Sequence, residues 1–152
     1  MDVFSRTFLP AAAEAGVAIA TVSRHMPILR RCVEPDDATV LVTRCMSPDR
    51  PLGGDFLLLL TYRRLVITQE TRVLHKLRLH LNANLRHLSD VTWRPDLRMS
   101  AVDLAATAVD GVRERLRMRV AEPEQVWRVD GLLKHVFRGR RIPAALPAAV
   151  AA

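Results

Sequence analysis

The chain has 152 residues, of which 49% are hydrophobic and 26% charged, and its formal net charge is +7. This length suits one domain with a single sizeable core, and the apolar fraction is too high for a disordered chain. The longest apolar stretch, residues 8–22, contains Glu14 and is shorter than the ~20 residues that span a bilayer. The sequence therefore argues against a transmembrane helix and a signal peptide.

The cysteines and the basic residues set the expected compartment and partners. Cys32 and Cys45 lack metal-ligand spacing, so we expect reduced thiols and a cytoplasmic location. The positive charge would attract nucleic acid, anionic lipid or an acidic protein. All but two of the 23 basic residues are arginine, however, and the bias of a GC-rich genome would produce the same composition.

Residues 1–37 are predicted to form an N-terminal helical segment. Apolar residues recur there at intervals of three and four, which predicts one helix over about residues 9–25 and a shorter one over about 27–33. Pro10 is placed in a first turn, and Pro27 is expected to break the helix because it lacks an N–H.

From Ala38 the apolar period changes to two, which predicts a run of short strands. Seven segments fit this pattern: Ala38–Met46, Asp55–Thr61, Arg64–Thr68, Val73–Leu81, Leu85–Arg94, Ser100–Thr107 and Val112–Val120.

The last two strands form the best-specified hairpin. A two-residue Asp-Gly turn would place Leu104 opposite an arginine and mix the two faces. A three-residue loop with Gly111 in the left-handed conformation instead pairs Leu104 with Leu116 and Asp103 with Arg117. We therefore predict the three-residue loop.

A C-terminal helix follows Glu122 and Pro123, with an apolar stripe that includes Val129, Leu133 and Phe137. The predicted fold is mainly β (α+β), a seven-stranded β-sandwich or partly open barrel over 38–138 that this helix caps. A lipocalin-like barrel is the alternative, but it needs eight strands. The Ala/Pro-rich tail, residues 139–152, is predicted to be disordered.

Two segments resemble a known family. Gly54–Thr68 (GDFLLLLTYRRLVIT) is similar to the second and third strands of bacterial pleckstrin-homology-like and GRAM-like domains, and Leu85–Trp93 (LRHLSDVTW) is similar to the segment that follows there. With the C-terminal helix, the resemblance covers about residues 38–137. It rests on positions that form the fold and not on a chemical signature.

The resemblance implies a fold used for lipid, peptide and protein binding and for oligomerisation, mostly without catalysis. Members that bind phosphoinositides carry basic residues in the loop between the first two strands. Here Ser47–Gly54 has only Arg50, beside Asp49 and two prolines, which argues against that specificity.

No catalytic constellation is evident in the sequence. The five histidines are scattered, and His75 and His80 would face opposite sides of one strand, so they could not chelate one ion. Gly53 and Gly54 lie between strands and do not open a helix as a phosphate-binding loop does. We expect no catalytic residue, no metal and no cofactor.

Alternating arginines on the last strand are the most unusual feature of the sequence. Their candidate role is a basic binding face, and the alternative is a solvated outer surface; Lys76 and Arg78 form a second basic stripe. We call the four arginines the arginine ladder: Arg113, Arg115, Arg117 and Arg119.

The N-terminal helix carries apolar residues on more than one side, which favours contact with a second copy. The candidate interface residues are Val17, Ile19, Val22 and Met26. The favoured hypothesis is thus a non-enzymatic protein-interaction or oligomerisation module. The alternative is an electrostatic binder of nucleic acid or anionic membrane, whose affinity would fall steeply with salt.

Overall fold

A computed structural model describes residues 1–50 and 53–137. The predicted disordered tail, residues 139–152, lies outside the described residues. Within them, no helix is long and apolar enough to cross a membrane.

The structure contains three α-helices and seven strands among the described residues, with a short 3-10 turn between the fourth and fifth strands. In chain order they are α1 Val3–Glu14, α2 Ile19–Cys32, β1 Thr39–Met46, β2 Asp55–Thr61, β3 Arg64–Glu70, β4 Leu77–Asn84, β5 Ser89–Asp96, β6 Ala101–Thr107, β7 Arg113–Arg119 and α3 Pro123–Phe137.

The strands form one antiparallel sheet in the order β4-β3-β2-β1-β7-β6-β5. Within the described residues, its two halves are joined only where Cys45 pairs with Met118 and Met46 with Arg117. β4 and β5 are the edge strands, so the sheet is not closed into a barrel. The predicted fold is confirmed: a seven-stranded, partly open β-structure with a C-terminal capping helix, preceded by an N-terminal helical segment.

The β6–β7 hairpin has the predicted register. Leu104 pairs with Leu116, and Asp103 pairs with Arg117. The backbone N–H of Gly111 donates to the carbonyl of Ala108, and Gly111 has a φ of 85°, as the left-handed position of a three-residue loop requires.

Three boundaries predicted around β4 and β5 are wrong. β4 begins at Leu77 and not at Val73, because a loop over residues 71–76, with His75 at a positive φ, separates it from β3. β4 also continues through residues 82–84, which were expected to break the pattern. Leu85–His87 form the 3-10 turn, because the Asn84 side chain accepts a hydrogen bond from the Arg86 N–H.

The inner face of the sheet forms a core that α3 completes. Residues of β1–β3 and β5–β7 join one apolar cluster with Val126, Val129, Leu133 and Phe137 of α3. The predicted burial of the α3 stripe is therefore confirmed. The helix is also tied by a buried hydrogen bond of 2.8 Å, in which the Trp93 indole N–H donates to the Asp130 carboxylate.

The predicted positions of the N-terminal helices are wrong. Asp2 caps α1 by accepting a hydrogen bond of 2.8 Å from the Ser5 N–H, so the helix begins at Val3 and Pro10 lies inside it. The break falls at Gly16, which has a φ of 75°, and not at Pro27, which lies within α2. The N–H groups of Gly16 and Val17 donate to the last turn of α1, which closes a Schellman motif.

These two helices pack on the outer face of the sheet and form a second core. Phe4, Phe8 and Ala12 follow one another at intervals of four residues and lie against the sheet together with Val22 and Leu29 of α2. Their partners in the sheet are Val42, Leu57, Leu59 and Val66. The helical segment is thus part of the folded core.

His25 ties α2 to β3 within this second core. Its Nδ1 lies 2.7 Å from the Thr68 hydroxyl oxygen, and its Nε2 lies 3.8 Å from a carboxylate oxygen of Glu70. Burial, opposed in part by the Glu70 carboxylate, lowers the pKa of His25 below its ordinary value of 6.5.

This shift predicts a pH-dependent stability. Because the unfolded chain binds the proton first, the free energy of unfolding should fall as the pH drops below 6.5 toward the folded-state pKa. Above that range His25 is neutral in both states. Urea titrations over this pH range should show a smaller loss in His25→Gln than in the wild type. The exposed control His87→Gln should keep the wild-type loss, and an equal loss in both variants would contradict the assignment.

Candidate functional site

Three of the four residues of the arginine ladder have partners within the chain. Arg113 donates to the Asp90 carbonyl at 2.7 Å and to the hydroxyls of Thr107 and Thr92. These bonds fix its guanidinium against β5 and β6, so Arg113 has a structural role.

Arg115 and Arg117 form ion pairs. Arg115 lies 3.1 Å from the Asp49 carboxylate, and Arg117 makes two hydrogen bonds of 2.7 and 2.9 Å to Asp103. The Asp103 bond raises the pKa of Arg117, and Asp96 lies 3.7 Å away. The predicted ladder is present on one side of β7, but Arg115 and Arg117 are paired with carboxylates and the guanidinium of Arg113 is held by neutral acceptors.

Lys76 and Arg78 do not extend the ladder. Both are exposed, Lys76 just before β4 and Arg78 within it. β4 is not paired with β7 in the sheet, although His80 of β4 lies 2.9 Å from the Glu114 carboxylate of β7. The structure therefore does not bring the two predicted basic stripes together on adjacent strands.

Three of the four predicted self-association residues belong to the outer core. Val17 and Val22 are buried in the outer core, and Met26 packs against it. Their burial against the sheet explains the apolar residues without a second copy. Ile19 is different, because it is 84% exposed at the start of α2.

The fourth ladder residue, Arg119, lines a cleft of about 560 Å³ together with Arg44 and Arg72. We call this the arginine cleft. Arg44 extends from β1, Arg72 from the β3–β4 connection and Arg119 from the end of β7, while Ala15 and Gly16 of the α1–α2 turn form another wall. Gly54 allows the close approach of β2 to β3 here, since a side chain would collide with the Glu70 carbonyl.

The ends of β1 and β7 bring two of these charges into one cleft. Cys45 pairs with Met118, and Arg44 and Arg119 are the next residues on the two strands beyond that pair. Both line the cleft, where like charges repel one another. Within residues 1–50 and 53–137, no carboxylate makes an ion pair with Arg44, Arg72 or Arg119, although Asp55 lines the cleft.

Sequence reasoning found Arg119 but missed Arg44 and Arg72. Each is a single arginine in an ordinary strand or turn, and no local pattern connects residues so far apart in the chain. The one available signal was the excess of arginine over acidic partners, and that excess does not reveal which arginines converge.

A narrow groove of about 60 Å³ adjoins the arginine cleft and shares Ala15, Arg119 and Val120 with it. It lies between α1, the first half of β1 and α3. Among the described residues β7 pairs with β1 only at Cys45 and Met46, so the first half of β1 has no paired strand on that side and borders the groove. An ion pair of 2.5 Å between Glu14 and Arg128 joins α1 to α3 at this groove.

Reactive groups are few in the described part of the chain. Burial raises the pKa of the Cys32 and Cys45 thiols, which lowers the fraction of nucleophilic thiolate. Among the described residues, no group of three or more His, Cys, Asp or Glu side chains could hold a metal ion.

Comparisons with known proteins add little to this description. No protein-family model matches the sequence, and no curated protein matches it. The chain is similar in structure to "Vav1 inhibited by an allosteric inhibitor: Vav1 inhibitors block GEF activity", with a TM-score of 0.45 and 12% identity. It is also similar to "Apo structure of the activated truncation of Vav1", with a TM-score of 0.44 and 14% identity. Each match covers 86% of this chain and 36% of the other chain. The GRAM-like family therefore stays a prediction from the sequence.

Proposed function

We propose that this chain is a non-enzymatic binding module that holds an anionic group of its ligand in the arginine cleft. The observation that carries the proposal is the convergence of Arg44, Arg72 and Arg119 without an ion-pairing carboxylate among the described residues. Guanidinium groups bind carboxylate and phosphate through paired N–H donors. An anion in the cleft would therefore relieve the repulsion between Arg44 and Arg119.

The contacts of the other basic residues support this choice of surface. The alternative hypothesis of an electrostatic face relied on the whole arginine ladder, yet Arg113, Arg115 and Arg117 already have partners in the chain. The favoured hypothesis of a protein-interaction module relied on the apolar N-terminal helix, most of which is buried in the outer core. In a protein-interaction module or an electrostatic binder alike, the arginine cleft would provide guanidinium groups that have no ion-pairing carboxylate among the described residues.

Small anions test the proposal directly. We expect inorganic pyrophosphate and citrate to bind saturably at low ionic strength and to shift amide NMR signals of the α1–α2 turn and the end of β7. The double variant Arg44→Gln/Arg119→Gln should bind at least about tenfold more weakly, because a hydrogen bond to a charged group contributes ~1.5–3 kcal/mol.

A matched control removes the same charge elsewhere. Arg86→Gln/Arg115→Gln changes two exposed arginines outside the cleft and should retain most of the affinity. Exposed substitutions typically change stability by no more than ~0.5 kcal/mol, so both variants should fold. Equal loss of binding in the two variants would show a response to net charge alone and would overturn the proposal.

A further inference from the structure

The arginine cleft and the adjoining groove form one elongated depression on this face of the protein. Ala15, Arg119 and Val120 line both parts, so a ligand that enters the cleft lies directly beside the groove. The cleft is basic, whereas the groove is walled mainly by aliphatic side chains, among them Val40, Val129 and Leu132. Its chemistry thus changes from cationic to apolar along its length.

We propose that the ligand is an extended segment of a partner protein in which acidic residues adjoin small apolar ones. This inference rests on the proposed function and specifies its ligand class. The carboxylates of the segment lie among Arg44, Arg72 and Arg119. A neighbouring small aliphatic side chain enters the groove, whose volume of about 60 Å³ admits a side chain of the size of alanine or valine.

The charges around the cleft favour a protein segment over a lipid surface. Asp55 is an exposed residue that lines the cleft itself, whereas the nearby carboxylate of Glu14 is paired with Arg128. An anionic bilayer would bring its closely spaced phosphates near the Asp55 carboxylate and be repelled by it. A protein segment can place single acidic residues at the arginines and leave the Asp55 carboxylate in water.

The apolar surface beside the cleft has the composition of a protein interface. Ile19 is 84% exposed and follows the α1–α2 turn that lines the cleft. Val73 and Leu74 are 88% and 75% exposed and follow Arg72 directly. Arginine is enriched where proteins contact one another, and the fully buried core of such a contact is more apolar than the rest of a protein surface.

The test compares labelled peptides by fluorescence anisotropy on the full chain. The probe is acetyl-Asp-Glu-Asp-Ala-Val-Ala-amide, set against its Asn/Gln counterpart and a version in which the apolar half is replaced by Gly and Ser. Ala11→Leu fills the groove from α1, and Ala13→Leu places the same side chain on the exposed side of that helix.

We expect the acidic–apolar peptide to bind best and Ala11→Leu to weaken it about tenfold, while Ala13→Leu has little effect. Pyrophosphate binding should be the same in both variants, because Ala11 does not line the cleft. Pyrophosphate binding without any preference for the apolar half would overturn this inference and leave the proposed function standing. If neither pyrophosphate nor the acidic–apolar peptide binds, both this inference and the proposed function are overturned.

Binding to lipid vesicles tests whether the partner is a membrane surface instead of a protein segment. Phosphatidylcholine vesicles with added phosphatidylserine are expected not to retain the protein at an ionic strength at which the peptide binds. If the vesicles retain the wild type but not Arg44→Gln/Arg119→Gln, and the peptide does not bind, the partner is a membrane surface. That result would overturn the inference.

Discussion

Replacing Phe8 with alanine is expected to lower the free energy of unfolding by about 3–5 kcal/mol. Phe8 is fully buried in the outer core, its ring lies 5.3 Å from that of Phe4, and it packs in one cluster with Leu57, Leu59 and Val66 of the sheet. Truncation removes these contacts and leaves a cavity that α1 cannot fill by a small shift. Urea unfolding followed by circular dichroism and by tryptophan fluorescence measures the loss.

The neighbouring residue provides a matched control. Leu9 is on the same helix but 43% exposed, so Leu9→Ala should cost much less. If the N-terminal helices were an appendage, Phe8→Ala would leave the unfolding of the strands unchanged, since both tryptophans lie outside those helices. That result would contradict the structural role assigned to α1.

Replacing Leu133 with alanine is expected to cost about 2–5 kcal/mol. Leu133 is fully buried where α3 closes the inner core, in the cluster that contains Trp93 and Phe137. α3 contacts β1 in one half of the sheet and β5 and β6 in the other, and among the described residues the two halves are joined by only two residue pairs between β1 and β7. The sheet therefore depends on α3 more than a closed barrel would.

Trp127 supplies the control on the same helix. Its side chain is 53% exposed, so Trp127→Ala removes a larger group at a smaller cost in stability. A urea midpoint for Leu133→Ala equal to that of the wild type would place α3 outside the core and contradict the fold.

Much of the strand region was predictable because its evidence is local. The bounds of β2 were predicted without error, and the β6–β7 register followed from matching faces across a short loop. The N-terminal region was predicted less well, because the helix was expected to break at Pro27 and not at Gly16, and no N-cap was predicted at Asp2. Gly16 ends α1 because it adopts a positive φ, whereas Pro27 lies within α2 and does not end it.

The candidate site was predicted least. The alternation on β7 correctly indicated that Arg115 and Arg119 would be exposed on the same face. It could not show that Asp49 pairs with Arg115 and that no acidic residue in the described part of the chain pairs with Arg119, because ion pairing depends on a few ångströms between segments distant in the chain.

The sequence by itself determined which residues form strands, which face each side chain takes and which helix stripe is apolar, because these follow from periodicities of 2 and 3.6. Only the tertiary structure decided which faces are covered and which charges stay unpaired. Burial of Val17 and Val22 requires the outer face of the sheet, and the juxtaposition of Arg44 with Arg119 requires the register of β1 against β7. Both are long-range pairings, and a local pattern carries no information about a partner on another strand.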